Sequence, residues 1–283
     1  MLKDILAILV LYNTRLDESE TFRSLAKSVQ QSGGTLDLLV YDNSAAPMFS
    51  GDKIYGGYTI HYMHDETNPG VSKAYNEGAK LARALDKKWL LLLDQDTTFP
   101  EDALDRYEEA MDENPDRVLF TPVLVSEGKI CSPCTYRFGR GFYPKTVPTG
   151  PQSLQKKSVL GSGLCISLEA FESVGGFNEN IRLDFADQEF VSRYKTHFTD
   201  VVVIRATCEH GLSVHASYDL KSSLKRFSYY CEGAKRSING FTNGCTFLVN
   251  AVIHTARLSI RYRSVRFVQL FFRAFILGRN TRG

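Results

Sequence analysis

The apolar run Trp89-Leu90-Leu91-Leu92-Leu93, cut off by Asp94-Gln95-Asp96, constrains this 283-residue chain more than any other segment. A run so short, with no polar position in it, reads as a strand buried on both faces, which requires helices above and below the sheet. The acids then stand at the strand's C-terminal end, where open α/β sheets bind their ligands. Closely spaced carboxylates at such an edge suit a hard divalent cation shared with phosphate oxygens. The plainer reading is an acidic turn, since Asp and Thr are also favoured in turns and at N-caps.

The first 125 residues alternate strand and helix signals, as a mostly parallel sheet demands. Ile5 to Leu11, Leu36 to Tyr41 and Tyr58 to Met63 read as further strands. Leu16 to Val29 and the stretch after Asn68-Pro69-Gly70 read as helices, and Pro100-Glu101-Asp102 opens another. In parallel strands the polar ends Tyr12-Asn13-Thr14, Asp42-Asn43 and Asp94-Gln95-Asp96 share one edge, which three unrelated turns would not do. Neither a dinucleotide fingerprint nor a P-loop occurs. Residues 126 to 157, rich in Gly, Pro, Ser and basic residues, read as a long loop rather than core. Strands are expected from Val159 to Ser167 and from Val201 to Ile204, a short helix from Leu168 to Val174, and a helix start at Asp184-Phe185-Ala186-Asp187-Gln188-Glu189-Phe190.

The composition, 43% hydrophobic and 23% charged, is that of a globular chain. Six unevenly spaced cysteines without a leader segment suggest a reduced, cytoplasmic setting. Cys131-Ser132-Pro133-Cys134 is a lone C-x-x-C, and a zinc site would need a second pair or a Cys/His partner set. No apolar window reaches the length of a membrane span. The formal net charge of +2 is unevenly spread, because no acid follows Glu232.

In order and spacing, several segments resemble the family 2 glycosyltransferases of GT-A fold, especially their bacterial rhamnosyltransferase-like branch. They are Val10-Leu11-Tyr12-Asn13, Val40-Tyr41-Asp42-Asn43-Ser44, Asn68-Pro69-Gly70 through Asn76-Glu77-Gly78, Leu93-Asp94-Gln95-Asp96-Thr97, Gly161-Ser162-Gly163, Gly175-Gly176-Phe177, Asp187-Gln188-Glu189 and His210. The resemblance implies a mostly parallel Rossmann-like sheet flanked by helices over residues 1–215, with a C-terminal helical region over 216–283. It implies that Asp42, Tyr12 and Asn13 line the nucleotide pocket beside Asn68 and Gly70. Asp94 would lie near the ribose and the metal, Asp96 would bind Mg²⁺ or Mn²⁺ directly, and His210 would join the metal shell. Asp187 matches the catalytic base. Glu189 is assigned to support or to orienting the acceptor, and Asn76 to a structural position. Phe190 stands where the branch often has Trp, and residues 126–157 match nothing securely.

Breaking the bond between a sugar and a nucleoside diphosphate puts negative charge on the phosphates, which a dication stabilises. The acceptor hydroxyl needs a base on the opposite face of the sugar, and attack assisted by one base inverts the anomeric centre. The expected donor is dTDP-rhamnose, with a UDP-hexose as the alternative. The acceptor is a glycan or lipid-linked saccharide of a bacterial surface polysaccharide. A sugar-phosphate nucleotidyltransferase would also place acids at strand ends, but it wants a Gly-rich basic loop that Tyr12-Asn13-Thr14-Arg15 reproduces poorly. A non-catalytic membrane-bound scaffold sits badly with Asp94, Asp96 and Asp187 together. Residues 254–283 interleave Arg with aliphatic and aromatic residues. Such a helix either lies in the interface of the cytoplasmic membrane's inner face or packs on protein, including a second copy, and both readings stand. Nucleic acid is not an expected partner, because the basic cluster is so apolar.

Overall fold

The computed structural model describes residues 2–50, 54–211 and 219–277. The strands are β1 (Ile5–Leu11), β2 (Leu36–Asp42), β3 (Ile54–Tyr55), β4 (Tyr58–His64), β5 (Trp89–Asp94), β6 (Thr97–Thr98), β7 (Leu119–Ser126), β8 (Lys129–Ser132), β9 (Cys134–Arg137), β10 (Arg140–Phe142), β11 (Gly150–Ser153), β12 (Lys157–Ser158), β13 (Leu164–Ser167) and β14 (Asp200–His210). The α-helices are α1 (Glu20–Ser32), α2 (Val71–Ala84), α3 (Ala103–Glu113), α4 (Leu168–Ser173), α5 (Ala186–Tyr194), α6 (Leu220–Arg236), α7 (Phe241–Tyr262) and α8 (Arg266–Phe271).

The main sheet runs β11-β14-β7-β13-β5-β1-β2-β4-β3. Its half around β5-β1-β2-β4 is parallel, while β13 enters antiparallel between β5 and β7. Leu90 to Leu93 are buried, as the unbroken apolar run requires, and alternate between two cores. Leu91 and Leu93 face Phe22 and Tyr107 on the α1/α3 side, and Leu90 and Leu92 face Tyr75, Phe171 and Phe190 on the other. Helix ends follow from local chemistry. Ser19 accepts from the Phe22 N–H at the start of α1, Gly33 closes that helix in the left-handed conformation, and Ser167 and Asp219 cap α4 and α6. Each such side-chain cap stabilises by about 1 kcal/mol.

Residues 126–157 are not the loop that their composition suggests. Glu127-Gly128 and Phe138-Gly139 all have positive φ, the pattern of two-residue type I′ hairpin turns. Their glycines therefore mark turns between β7 and β8 and between β9 and β10, and β9, β10 and β12 form a second, three-stranded sheet. Two strand expectations also shift. Only Leu164–Ser167 forms β13, the preceding Gly161-Ser162-Gly163 being a bend, and β14 runs on past Ile204 so that His210 is its last residue.

The C-terminal region is helical but not one continuous basic helix from residue 254. Helix α7 ends at Arg263, whose φ of 48° stops it, and α8 folds back. Phe267, Phe271 and Ala274 are buried against Phe227, Cys231 and Ala251 of α6 and α7. One apolar face of the tail thus packs on protein. Residues 278–283 of the tail lie outside the described residues, and no helix among those described is long and apolar enough to cross a membrane.

Candidate active site

Register places the polar strand ends together. Leu11 pairs with Asp42 and Val10 with Asp94 in parallel ladders, so Tyr12, Asp42 and Asp94 emerge on one edge. The turn after β5 is tied down from several sides. Gln95 Oε1 accepts from the Tyr12 N–H at 2.8 Å, Ser19 Oγ donates to the Gln95 carbonyl at 2.9 Å, and Thr21 Oγ1 donates to the Asp94 carbonyl. Opposite, β14 pairs antiparallel with β6, so that His210 faces Thr97.

Ligand atoms of Asp94, Asp96 and His210 all lie within 4.8 Å of one another. His210 is buried, its Nδ1 lies 2.8 Å from Thr97 Oγ1, and Thr97 Oγ1 lies 2.7 Å from Ser162 Oγ. The same Nδ1 lies 3.7 Å from Asp96 Oδ1, so the Thr97–Ser162 pair holds the imidazole beside the carboxylates. Burial and the neighbouring Asp94 charge push the Asp96 carboxyl up to about 6, with His210 acting in the opposite direction. Two carboxylates and an imidazole with partly uncompensated negative charge fit a hard or borderline dication such as Mg²⁺ or Mn²⁺.

Asp187 stands in the first turn of α5. Burial and the Asp94 charge push its carboxyl up to about 7, opposed by the Gly161 N–H. Tyr75, buried on α2, donates to Asp94 Oδ1 at 3.2 Å and feels the charges of Asp94, Asp187 and Asp96. Its phenol and the Asp187 carboxylate both lie beside Gly161. A Cβ at Gly161 would stand 2.8 Å from Asp187 Oδ1, so any side chain there displaces the carboxylate.

The remaining expected residues divide into two groups. Tyr12 is exposed at the rim and Lys225 of α6 lies over its ring at 5.8 Å. Asn13 has a φ of 52° and its N–H donates to Ser44 Oγ at 2.8 Å. Asp42 is wholly buried, and its carboxylate accepts from the Ser44 N–H at 2.9 Å, the Met48 N–H at 2.7 Å and the Tyr62 hydroxyl. Burial alone would raise its pKa, but these donors outweigh it and hold the carboxyl below its usual range. Asp42 thus shapes the loop after β2.

Asn68, at a φ of 48°, forms a turn with Asp65, and Gly70 is packed so closely that a Cβ would stand 2.1 Å from the Arg182 carbonyl oxygen. Asn76 bridges to the Phe177 backbone in both directions, a structural role. Glu189 is held 2.7 Å and 2.8 Å from Arg193, which in turn donates to the Val174 and Gly176 carbonyls. Sequence reasoning passed over Thr97, Ser162, Tyr75 and Lys225. The first three lie inside or beside motifs already singled out, whereas nothing in the local pattern marks Lys225, which reaches Tyr12 from a helix more than 200 positions away.

Residues 7–133 match the family model described as glycosyl transferase family 2. An uncharacterized glycosyltransferase of Haemophilus influenzae is 23% identical over 191 residues, covering 64% of this chain and 58% of that protein. The dTDP-rhamnosyl transferase RfbF of Shigella flexneri is 25% identical over 223 residues, covering 78% of this chain and 69% of that one. The chain thus spans less than two thirds of the Haemophilus relative. The crystal structure of S. aureus TarS 1–349 in complex with UDP-GlcNAc superposes with a TM-score of 0.54 at 14% identity, over 96% of this chain and 79% of that one. The crystal structure of S. aureus TarS gives 0.53 at 16%, over 90% and 44%. At these identities the likeness is one of GT-A fold.

Proposed function

From a chain that carries a family 2 glycosyltransferase domain over residues 7–133, we propose inverting transfer of a sugar from a nucleoside diphosphate donor to an acceptor hydroxyl. The observation that carries this reading is the pairing of two unlike acidic centres. An Asp94–Asp96–His210 group is able to hold a dication, and Asp187, with its carboxyl lifted to about 7, is suited to take a proton near neutral pH. Asp96 and Asp94, with His210, would hold Mg²⁺ or Mn²⁺, which when bound neutralises charge on the diphosphate leaving group. Asp187 accepts the acceptor's hydroxyl proton while the new C–O bond forms at the anomeric carbon and the bond to the diphosphate breaks. Attack and departure on opposite faces invert that carbon. Tyr75 fixes Asp94, and Thr97 with Ser162 fixes His210.

The favoured donor is dTDP-rhamnose, a choice supported by the Shigella relative's name, and the alternative is a UDP-sugar, supported by the TarS complex. Tyr12, Asn13, Asn68 and Gly70 line the nucleotide side together with Asp42, which shapes the neighbouring loop after β2. The acceptor is a glycan or lipid-linked saccharide, taken up at the inner face of the cytoplasmic membrane. Glu189 supports α5 through Arg193. The family match leaves the nucleotidyltransferase reading without a supporting observation.

The test is a thermal-shift screen of nucleotide sugars with Mn²⁺ or Mg²⁺, since a donor that binds only the native state raises its apparent stability. It is followed by transfer with the donor found and NMR of the product's anomeric centre. Retained configuration, or a shift with no nucleotide sugar, would overturn the reading.

A further inference from the structure

The packing of the C-terminal helices divides their apolar residues into two sets. Phe267, Phe271 and Ala274 are covered, as is Phe247 on the inner face of α7. The opposite face of α7 is not. Phe241 is 89% exposed, Val249 56%, Val252 48% and Ile260 78%, with Leu248 also exposed. At 100° per residue these positions fall within one sector of about 120°, a longitudinal stripe on the side turned away from α6. Arg257 and Arg261 are exposed near its C-terminal end, and Arg263, Arg266 and Arg273 follow, also exposed. No acidic residue occurs after Glu232, so nothing within this region offsets their charge.

We propose that this outer face of α7, Phe241 to Ile260, docks on an anionic lipid surface. An apolar stripe with arginines at its margin lets the aliphatic and aromatic side chains enter the headgroup boundary while the guanidinium groups remain among the lipid phosphates. A second copy is the poorer occupant. Two copies of this face in isologous contact would bring two arginine-bearing surfaces together with no acid on either to meet the charge. The site also has a short structural link to this helix. Phe185, two residues before Asp187, packs on Phe247 at a ring separation of 5.4 Å and on Tyr230 at 5.1 Å. Asn250 of α7 donates to the Phe138 carbonyl at 2.7 Å, which lays the β9–β10 hairpin, with its exposed Phe138 and Phe142, against the same helix. Docking through α7 would thus hold the Asp187 side of the site near the membrane. This deepens the proposed use of a lipid-linked acceptor and takes its purpose from that reading, while its own chemistry is independent of it.

The full chain is sedimented with vesicles of phosphatidylglycerol and phosphatidylcholine, and with phosphatidylcholine alone, beside the double variant Val249→Glu/Val252→Glu. Both substitutions are on exposed positions, and a thermal melt matching the parent shows that the fold is kept. The parent is expected to partition onto anionic vesicles, less onto neutral ones, and the variant to lose about tenfold or more in partitioning, as expected from removing buried apolar contact and adding like charge. Arg257→Gln/Arg261→Gln should lower the anionic preference while leaving the neutral-vesicle level unchanged. A parent that stays in the supernatant, or a double variant that binds equally well, overturns the proposal. So does sedimentation velocity showing self-association of the parent that the double variant abolishes, which makes the stripe a subunit contact. Nucleoside diphosphate binding with Mn²⁺ is measured separately, so a failed transferase reading is seen apart from failed docking.

Discussion

Gly161 and Asp187 are in contact so close that a single added methyl group at 161 would stand 2.8 Å from Asp187 Oδ1. The bend before β13 and the first turn of α5 therefore jointly set where the carboxylate points. Gly161→Ala should push it out of line. A displacement near 1 Å at a reacting group costs up to about a hundredfold in rate, so turnover should fall by at least about tenfold. Nucleoside diphosphate affinity, set at the strand ends, should change little. Steady-state kinetics with calorimetry checks the split, and loss of both together would mean that Gly161 shapes the nucleotide site instead.

Asp187 gives a pH dependence of definite sign. Its carboxyl stands at about 7 in the folded chain against an ordinary value of 3.8, chiefly through burial and then through the Asp94 charge. The native state holds this proton more tightly than the unfolded chain. Its contribution is therefore fully present below the unfolded value, declines as pH rises, and is gone above about 7. Asp187→Asn should remove that decline, so the stability of parent and variant should diverge between those limits in the variant's favour. Transfer by the parent should rise with pH to a plateau, and the variant should lose transfer at every pH while keeping donor binding. Lost nucleotide affinity in the variant would count against a base role.

Much of this was legible because burial on both faces leaves a strong mark. The run Trp89 to Leu93 announced a central strand, and the polar residues ending β1, β2 and β5 announced the edge they share. Residues 126–157 misled because Gly in a hairpin turn and Gly in a loop look alike in composition. Only the positive φ at Glu127-Gly128 and Phe138-Gly139 separates them. Asp42 was legible as an acid at a strand end, but its partners were not. A motif marks that an acid is needed, but not whether its oxygens face a ligand or, as for Asp42 with Ser44, Met48 and Tyr62, the protein's own donors. Lys225 over Tyr12 was hidden because tertiary packing alone brings α6 to the strand ends.

Thr97 offers a test of the cation site that leaves the carboxylates untouched. Its hydroxyl holds His210 Nδ1 at 2.8 Å and is itself held by Ser162. Removing such an outer partner of a metal ligand typically weakens metal binding by about ten- to a hundredfold. Thr97→Val should therefore raise the Mn²⁺ concentration for half-maximal transfer by about tenfold, and His210→Ala by more. Both should leave saturating-metal turnover closer to the parent's than Asp187→Asn does. An unchanged titration in His210→Ala would remove the imidazole from the shell.

The C-terminal helices pack directly on the segment that carries Asp187. Gly233 in α6 lies against the loop that precedes Asp187, where a Cβ would stand 2.0 Å from the Asp184 carbonyl oxygen and 3.2 Å from the Phe185 ring. Arg226, two turns earlier on α6, donates to Asp184 Oδ1 at 2.9 Å. Helix α6 thus braces the segment that positions Asp187, and backbone on the far side cannot yield as a flexible side chain would. Gly233→Ala should destabilise by about 3 kcal/mol, the upper end for overpacking a filled interface. It should also lower turnover, because the Asp184-Phe185 segment must shift. If residues 216–283 were a separate unit, the melt would split into two transitions with catalysis unaffected. A single transition at lower temperature, accompanied by reduced turnover, is the outcome expected of one cooperative body.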